Sequence, residues 1–354
     1  PPYGKLSTTT ENYRLLLAVG AESTNLYAAF LNLIIGLLRP KGELVAITPR
    51  SFCNGSYFKP FRQRLLRDMS LSRIRVFESR TAAFKHDNVL QENVIIRAVK
   101  QARLSPTIRV SLSSGAIHDR VRSRAFPATE IVSPSDAQSF IHIPTSDQHL
   151  VARDQVARLK ATLDRLGLTV STGRVVDFRA HEQIREKAET GTCPLIYPCH
   201  FNGWFVTWPA EKGRKPNAIR DDVQTRNLVI PAAVYVLTKR FTSKEERRRV
   251  VACIYDPIRI GSQRVGFENH LNYIHAGGRG LDMSLAKGLW AYLNSSILDL
   301  YFRQFNGHTQ INATDLRNVR FPTADQLRAI GGQIGENSIG QAVVDEIVTR
   351  ELNA

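Results

Sequence analysis

The 354 residues include 48 Lys and Arg against 32 Asp and Glu, a formal charge of +16, and 43 % of them are hydrophobic. That length and apolar content suit one large domain or two of ordinary size, and no apolar run reaches the roughly 18 to 20 residues of a membrane span. The positive excess, spread through "RDQVARLKATLDR", "KGRKPNAIR" and "TKRFTSKEERRR", points to a polyanionic partner and a long phosphate-tracking surface.

No signal peptide is visible, which makes the cytoplasm the expected compartment. Cys53, Cys193, Cys199 and Cys253 show no paired CxxC spacing. "CPLIYPCH" brings two of them close to His200, but zinc would need a further ligand, so reduced thiols and no metal are expected.

The chain opens on "PPYGKLSTTTENY". Leu26, Phe30, Leu33, Ile34 and Leu37 then recur at helical spacing, with Asn25, or Ser23 and Thr24, as cap. "RPKGE" ends that helix and "LVAITP" reads as a buried strand. "YFKPFRQRLLRDM" is a second amphipathic segment, and "SRIRVFE" and "ENVIIRAV" are two strands across the loop "SRTAAFKHDNVLQ". Helix, strand, helix, strand, strand is the tail of an alternating α/β sheet finished by a hairpin. From Ser111 to His149 the texture turns to Ser, Pro and isolated aliphatics, an irregular linker. "VARDQVARLKATLDRLGL" is helical up to Gly167. Short strands follow in "TGRVVDFR", "PLIYPCHF" and "GWFVTWP", then an antiparallel pair in "AAVYVLTKRF" and "RRVVACIYDP". "LAKGLWAYLNSSILDLYFRQF" is strongly helical, so the second half is α+β.

The ordered set of Pro1, Pro2, Tyr3, helix, strand, helix, strand and hairpin strand resembles the second half of the amino-methylating DNA methyltransferases. "VLTKRFTSKEERRRVVACIYDP", "GFENHLNYIH" and "YLNSSILDLYFRQFNGHTQINATDLRNVRFP" resemble the target-recognition half of the PstI-type adenine modification methylases. The resemblance implies the second half of a Rossmann-like catalytic sheet over residues 1–112, a linker over 113–150 and a DNA target-recognition domain over 151–354. It also implies S-adenosylmethionine as cofactor, double-stranded DNA as partner, methylation of a flipped adenine at N6, a cognate restriction endonuclease and action as a monomer. Methylation of cytosine N4 uses the same turn, and a DNA-binding specificity module without catalysis is a further alternative.

Pro1, Pro2 and Tyr3 match the last three positions of the family's Asn/Asp/Ser-Pro-Pro-Tyr/Phe motif. A rigid imide backbone holds the Pro1 carbonyl as an acceptor for an amine proton, and Tyr3 stacks on the extruded base. Leu26, Tyr27 and Phe30 are implied beside the cofactor's adenine, with core packing the competing role for Phe30. Phe84 and Leu90 are the candidates for the base's other face. Lys239, Arg240, Lys244, Arg247 and Arg248 are phosphate-contact candidates, the last three on an expected arginine-rich helix. His308, Gln310 and Asn312 suit base edges, and equally suit loop and capping bonds together with Thr314 and Asp315. Asn269 and His270 carry the same two readings. The cofactor's Gly-rich loop and the acidic residue that holds its ribose have no match here, so the chain is expected to be the C-terminal portion of a longer enzyme, inactive without the other half.

Overall fold

The computed structural model describes residues 1–2, 4–77, 92–101, 105–113, 121–210, 215–242, 246–307, 309–335 and 339–353. They form two compact units, one of residues 1–150 with 303–308, the other of 151–302 with 309–354. No helix among the described residues is long and apolar enough to cross a membrane.

The first unit begins with α1 (Glu11–Ala18) and α2 (Leu26–Leu37), each with a polar cap. Thr10 Oγ1 accepts the Tyr13 amide at 3.4 Å, and Asn25 Oδ1 accepts that of Tyr27 at 3.2 Å, each satisfying an otherwise orphaned helical N–H. Then come β1 (Glu43–Pro49), α3 (Lys59–Asp68), β2 (Met69–Phe77), β3 (Asn93–Lys100), β4 (Thr107–Ser113), β5 (Arg122–Pro127) and the short α4 (Ala128–Ile131). The sheet order is β1-β3-β2-β4-β5. β3 is antiparallel to both β1 and β2, so β1 and β2, joined through α3, run parallel with β3 inserted between them. β2 is parallel to β4, and β4 antiparallel to β5. This is a mixed α/β sheet in which β1, among the described residues, is paired along one side only.

Along β1, Leu44, Ala46 and Thr48 face the core while Glu43 and Val45 face out, as the two-residue period requires. Tyr27, Leu31 and Ile35 of α2 pack against Phe61 and Leu65 of α3 and the inner residues of β1 to β4. The stripe read from the sequence falls on the other side of α2, where Phe30, Leu33 and Leu37 are exposed. The helix is apolar nearly all round, so periodicity finds a face without telling which one the core takes.

Of the expected linker, the described residues 121–150 are packed rather than linker-like. They supply β5 and α4, and Ile131, Phe140, Ile141 and Ile143 are buried. Arg62, fully buried, donates to the carbonyls of Phe52, Gly55 and Gln138 at 2.7 to 3.1 Å, tying this stretch to α3. Residues 303–308 return to the same unit. Ile143 N donates to Gln304 O at 2.8 Å, and the Phe305 ring stacks on Phe140 at 5.2 Å.

The second unit's elements begin with α5 (Asp147–Arg158), whose first turn lies in unit 1, then β6 (Thr169–Thr172), α6 (Asp177–Ala180), β7 (Ile184–Arg185) and β8 (Thr192–Ile196). They continue through β9 (Phe201–Asn202), β10 (Phe205–Val206), β11 (Ala218–Arg220), β12 (Val229–Pro231), β13 (Tyr235–Lys239) and β14 (Ala252–Tyr255). After α7 (Pro257–Ile260), β15 (Arg264–Phe267) and β16 (Leu271–His275) come α8 (Met283–Leu293), α9 (Ser296–Phe305), α10 (Ala313–Arg317), α11 (Ala324–Gly332) and α12 (Gln341–Asn353). Two sheets result, β6-β16-β13-β14-β10-β9 and β12-β15-β8-β11-β7. The expected antiparallel pair is β13 with β14.

α5 stops at Arg158 because the chain is drawn into a bridge between Ala161 and Phe321; Gly167 instead closes a short 3-10 turn at φ +69°. "TGRVVDFR" ends as the helical turn α6 rather than as a strand. The long apolar helix is two helices, parted where the Asn294 side chain pairs with both the N–H and the C=O of Ala252, each at 3.1 Å. α8 and α11 cross at glycines. A Cβ on Gly288 would fall 1.8 Å from Leu327 O, and one on Gly331 1.8 Å from Ser284 O.

Candidate active site and nucleic-acid interface

The chain directly after the Pro-Pro-Tyr turn is pinned to the start of α2. Leu26 N donates to Gly4 O at 2.9 Å, Leu6 N donates to Thr24 O at 2.8 Å, and Lys5 bridges Asn25. Pro1 and Pro2 are exposed; Tyr3, Phe84 and Leu90 lie outside the described residues. The start of α2 is in turn joined to the carboxyl end of β1, since the hydroxyls of Tyr27 and Ser51 are 2.9 Å apart. Three different polar features collect at that strand end. Arg50 and Glu92 form a buried ion pair at 3.2 Å. Arg50 also donates to the carbonyls of Arg303 and Gln304, at 2.7 and 2.5 Å. The Thr48 hydroxyl and both polar atoms of the Asn93 amide are buried without a hydrogen bond among the described residues, a costly state that structures retain for a reason.

Of the three residues implied beside a cofactor, Tyr27 faces inward. Its side chain is buried, its ring stacks on Phe58 at 5.3 Å and its hydroxyl meets Ser51, so it serves the core. Leu26 is half-buried, and Phe30, one helical turn on, is 45 % exposed. These two present an accessible apolar stripe at the start of α2.

The cationic candidates lie in the second unit. Lys239 ends β13, with its ammonium 5.9 Å from the centre of the Phe201 ring. Arg240 follows; its N–H donates to His270 O at 2.8 Å and its guanidinium to Asn269 O. Lys244 and His308 lie outside the described residues. The expected arginine-rich helix is absent from the described part, 246–249, which forms bends. There Arg249 is buried and donates to Thr242 O at 2.8 Å, while its own amide donates to Asp299 at 2.6 Å, and these bonds hold the backbone in a loop. Arg247 is exposed, and the half-buried Arg248 has its pKa lowered by desolvation and then by Arg247.

Gln310 is half-buried in a bridge with Phe241, and Asn312 is the N-cap of α10, where its amide donates to Asp315 Oδ2 at 2.8 Å. Asn312 and Asp315 thus do capping work. Near "CPLIYPCH", His200 Nδ1 accepts the Tyr197 amide at 2.9 Å and Nε2 meets Asn217 Oδ1 at 3.0 Å, so both ring nitrogens are occupied. Burial lowers the His200 pKa and pushes the Cys193 thiol up to about 12.

Against known proteins, residues 1–84 match the family described as Eco57I restriction-modification methylase. Over 99 % of its length the chain is 46 % identical to the Type II methyltransferase M.PstI of Providencia stuartii, of which it spans 69 %. The chain belongs to the Type II methyltransferase family of restriction–modification systems. It is 43 % identical over 98 % of its length to a second member, M.BsuBI of Bacillus subtilis, again spanning 69 % of that protein. The type IIL restriction-modification enzyme MmeI, solved in complex with DNA, shares the fold across all of this chain and 52 % of its own, with a TM-score of 0.57 at 11 % identity.

For this methyltransferase, sequence reasoning named Asn269 and His270 without a reason to prefer them and passed over Glu268 and Phe241. Glu268 is 1 % exposed, with its carboxylate on the His270 ring, and the Phe241 ring is 4.9 Å from that ring. The only sequence signal for the pair is an acid two residues before a histidine, and turns supply that spacing often. Equally hidden was the Arg50 contact with 303–304, which joins residues more than 250 positions apart.

Proposed function

We propose that the chain carries the base-binding turn and the target-recognition region of a site-specific DNA methyltransferase that modifies adenine at N6. The observation that carries this reading is the Pro-Pro-Tyr turn, with the residues after it pinned to the start of α2 and α2 hydrogen-bonded to the end of β1. An exocyclic amine conjugated to a base is a poor nucleophile, because its lone pair is delocalised into the ring. The Pro1 carbonyl, held by the imide that follows it, accepts one of the amine protons and steers the nitrogen towards an attacking geometry. Tyr3 stacks on the base, which has to leave the duplex to be reached. Leu26 and Phe30 fit an adenine ring of S-adenosylmethionine, being apolar, adjacent on one helical face and accessible. When bound, that cofactor supplies a methyl group made electrophilic by its sulfonium. Double-stranded DNA is the substrate, and a cognate restriction endonuclease is the other component of the system.

The exposed Phe30, Leu33 and Leu37 of α2 and the edge of β1 that is unpaired among the described residues are the places where further parts of the enzyme pack. Large exposed apolar patches mark interaction surfaces, and an open strand edge is a template for further pairing.

The test is to incubate the full-length gene product with DNA and methyl-labelled S-adenosylmethionine, then analyse the nucleosides by mass spectrometry. N6-methyladenine is expected. N4-methylcytosine instead would transfer the same geometry to the other amine, and DNA left unmethylated would sink the reading. Tyr3→Ala should lower kcat/KM about 10- to 100-fold, in line with a stacking contribution of roughly 1 to 3 kcal/mol.

A further inference from the structure

Between β15 and β16 the chain crosses from one sheet of the second unit to the other through Glu268, Asn269 and His270. Every amide N–H of this crossing is engaged. Glu268 N donates to Ile196 O at 3.0 Å, Asn269 N to Val175 O at 2.8 Å and Leu271 N to Glu268 O at 3.0 Å. His270 N donates to Glu268 Oε2 at 2.9 Å. Gly173 lies against the turn so closely that a Cβ there would stand 2.1 Å from Glu268 O. The turn is therefore held from both sides.

The Glu268 carboxylate is buried, and its other oxygen, Oε1, binds His270 Nδ1. A carboxylate only accepts, so Nδ1 is the nitrogen that carries a proton towards Glu268, and in the singly protonated ring Nε2 is left as the acceptor. The His270 side chain is 49 % exposed and lies 4.9 Å from the ring of the exposed Phe241, and its backbone carbonyl accepts the Arg240 amide. Beside it, the side chain of Asn269 makes no hydrogen bond among the described residues. One carboxylate oxygen satisfies the turn's own amide; the other orients a half-exposed ring two residues away. It fixes a direction, which is what a contacting group gains from preorganisation.

Resting on the DNA-methyltransferase reading, we propose that His270 is a specificity-determining residue. Its Nε2 accepts the exocyclic amine of a base edge in the major groove, adenine N6 or cytosine N4. Glu268 is its positioning residue, and the adjacent Arg240 supplies sequence-independent attraction to phosphate.

The test uses the full-length enzyme, wild type, His270→Ala, His270→Gln and Glu268→Gln. Methylation is measured on the preferred duplex and on a series with one base pair replaced at a time. His270→Ala is expected to lose about 10- to 100-fold in kcat/KM on the preferred site, and to equal wild type on duplexes changed at one particular pair. His270→Gln, which keeps most of the volume, and Glu268→Gln should give the same positional signature, with the salt dependence of DNA binding unaltered. Wild-type discrimination at every pair in the His270 variants, or an equal loss on every duplex, would overturn the proposal. A wild-type enzyme that methylates no duplex sinks the parent reading; a selective wild type with equally selective His270 variants sinks this inference alone.

Discussion

In the first unit, the side of α2 turned from the core carries Phe30, Leu33 and Leu37, α1 exposes Leu15 and Leu17, and β1 is paired along one side only among the described residues. In the second, the exposed large apolar side chains, among them Phe178, Val223, Ile258 and Val343, stand singly on separate elements. Single exposed apolar residues are ordinary, whereas a contiguous set is informative. The interiors differ as well. The first unit relies on a buried arginine bonded to three backbone carbonyls, and the second on two helices brought together at Gly288 and Gly331. One unit carries an exposed apolar helix side and polar ties across long loops; the other relies on close backbone packing.

The comparison breaks first, if at all, at those interiors. Arg62→Met should leave the carbonyls of Phe52, Gly55 and Gln138 without their donor and cost about 3 kcal/mol or more. Hydrogen exchange should accelerate in residues 1–150 and leave β13 to β16 protected; acceleration everywhere would mean that the two units do not unfold separately. Gly331→Ala is the converse. Its methyl group meets the Ser284 carbonyl, and about 3 kcal/mol of destabilisation should appear as faster exchange in α8 and α11.

The surface contrast is sharpened by Leu33→Asp with Leu37→Asp. Both positions are exposed, so denaturant melting of the 354-residue chain should shift by about 0.5 kcal/mol or less, while methylation by the full-length enzyme should fall. An unchanged rate would remove the proposed packing surface.

A smaller effect concerns pH. Burial lowers the pKa of His200 and of His275, both in the second unit. A histidine kept neutral by folding takes up its proton more readily when unfolded. Its contribution is therefore complete above the unfolded value of about 6.5 and is lost as pH falls from there through the lowered folded value. Melting followed from pH 7.5 to 5 should show the second unit weakening, and His200→Gln should flatten that dependence.

Much of the first unit could be read from the sequence, because α2, β1, α3, β2 and β3 each carry a local signal. Capping residues mark α2, and short apolar runs mark β1, β2 and β3, although β1 turns Glu43 and Val45 outward. The packing of 121–150 was not legible, as its anchors, Ile131, Phe140, Ile141 and Ile143, are isolated aliphatic and aromatic residues in a polar stretch. The arginine-rich segment misled for the opposite reason. Charged residues at helical spacing look like a solvated helix, but Arg249 is drawn inside to meet Thr242.

By itself, then, the sequence determined the helices and strands from α2 to β3, because those depend on residues a few positions apart. Only the tertiary structure decided which face of α2 is covered, that 303–308 belongs with β1, and that a buried Glu268 aims His270 outward. These depend on contacts between distant segments, whose free energy is gained only once the chain has closed the loops between them.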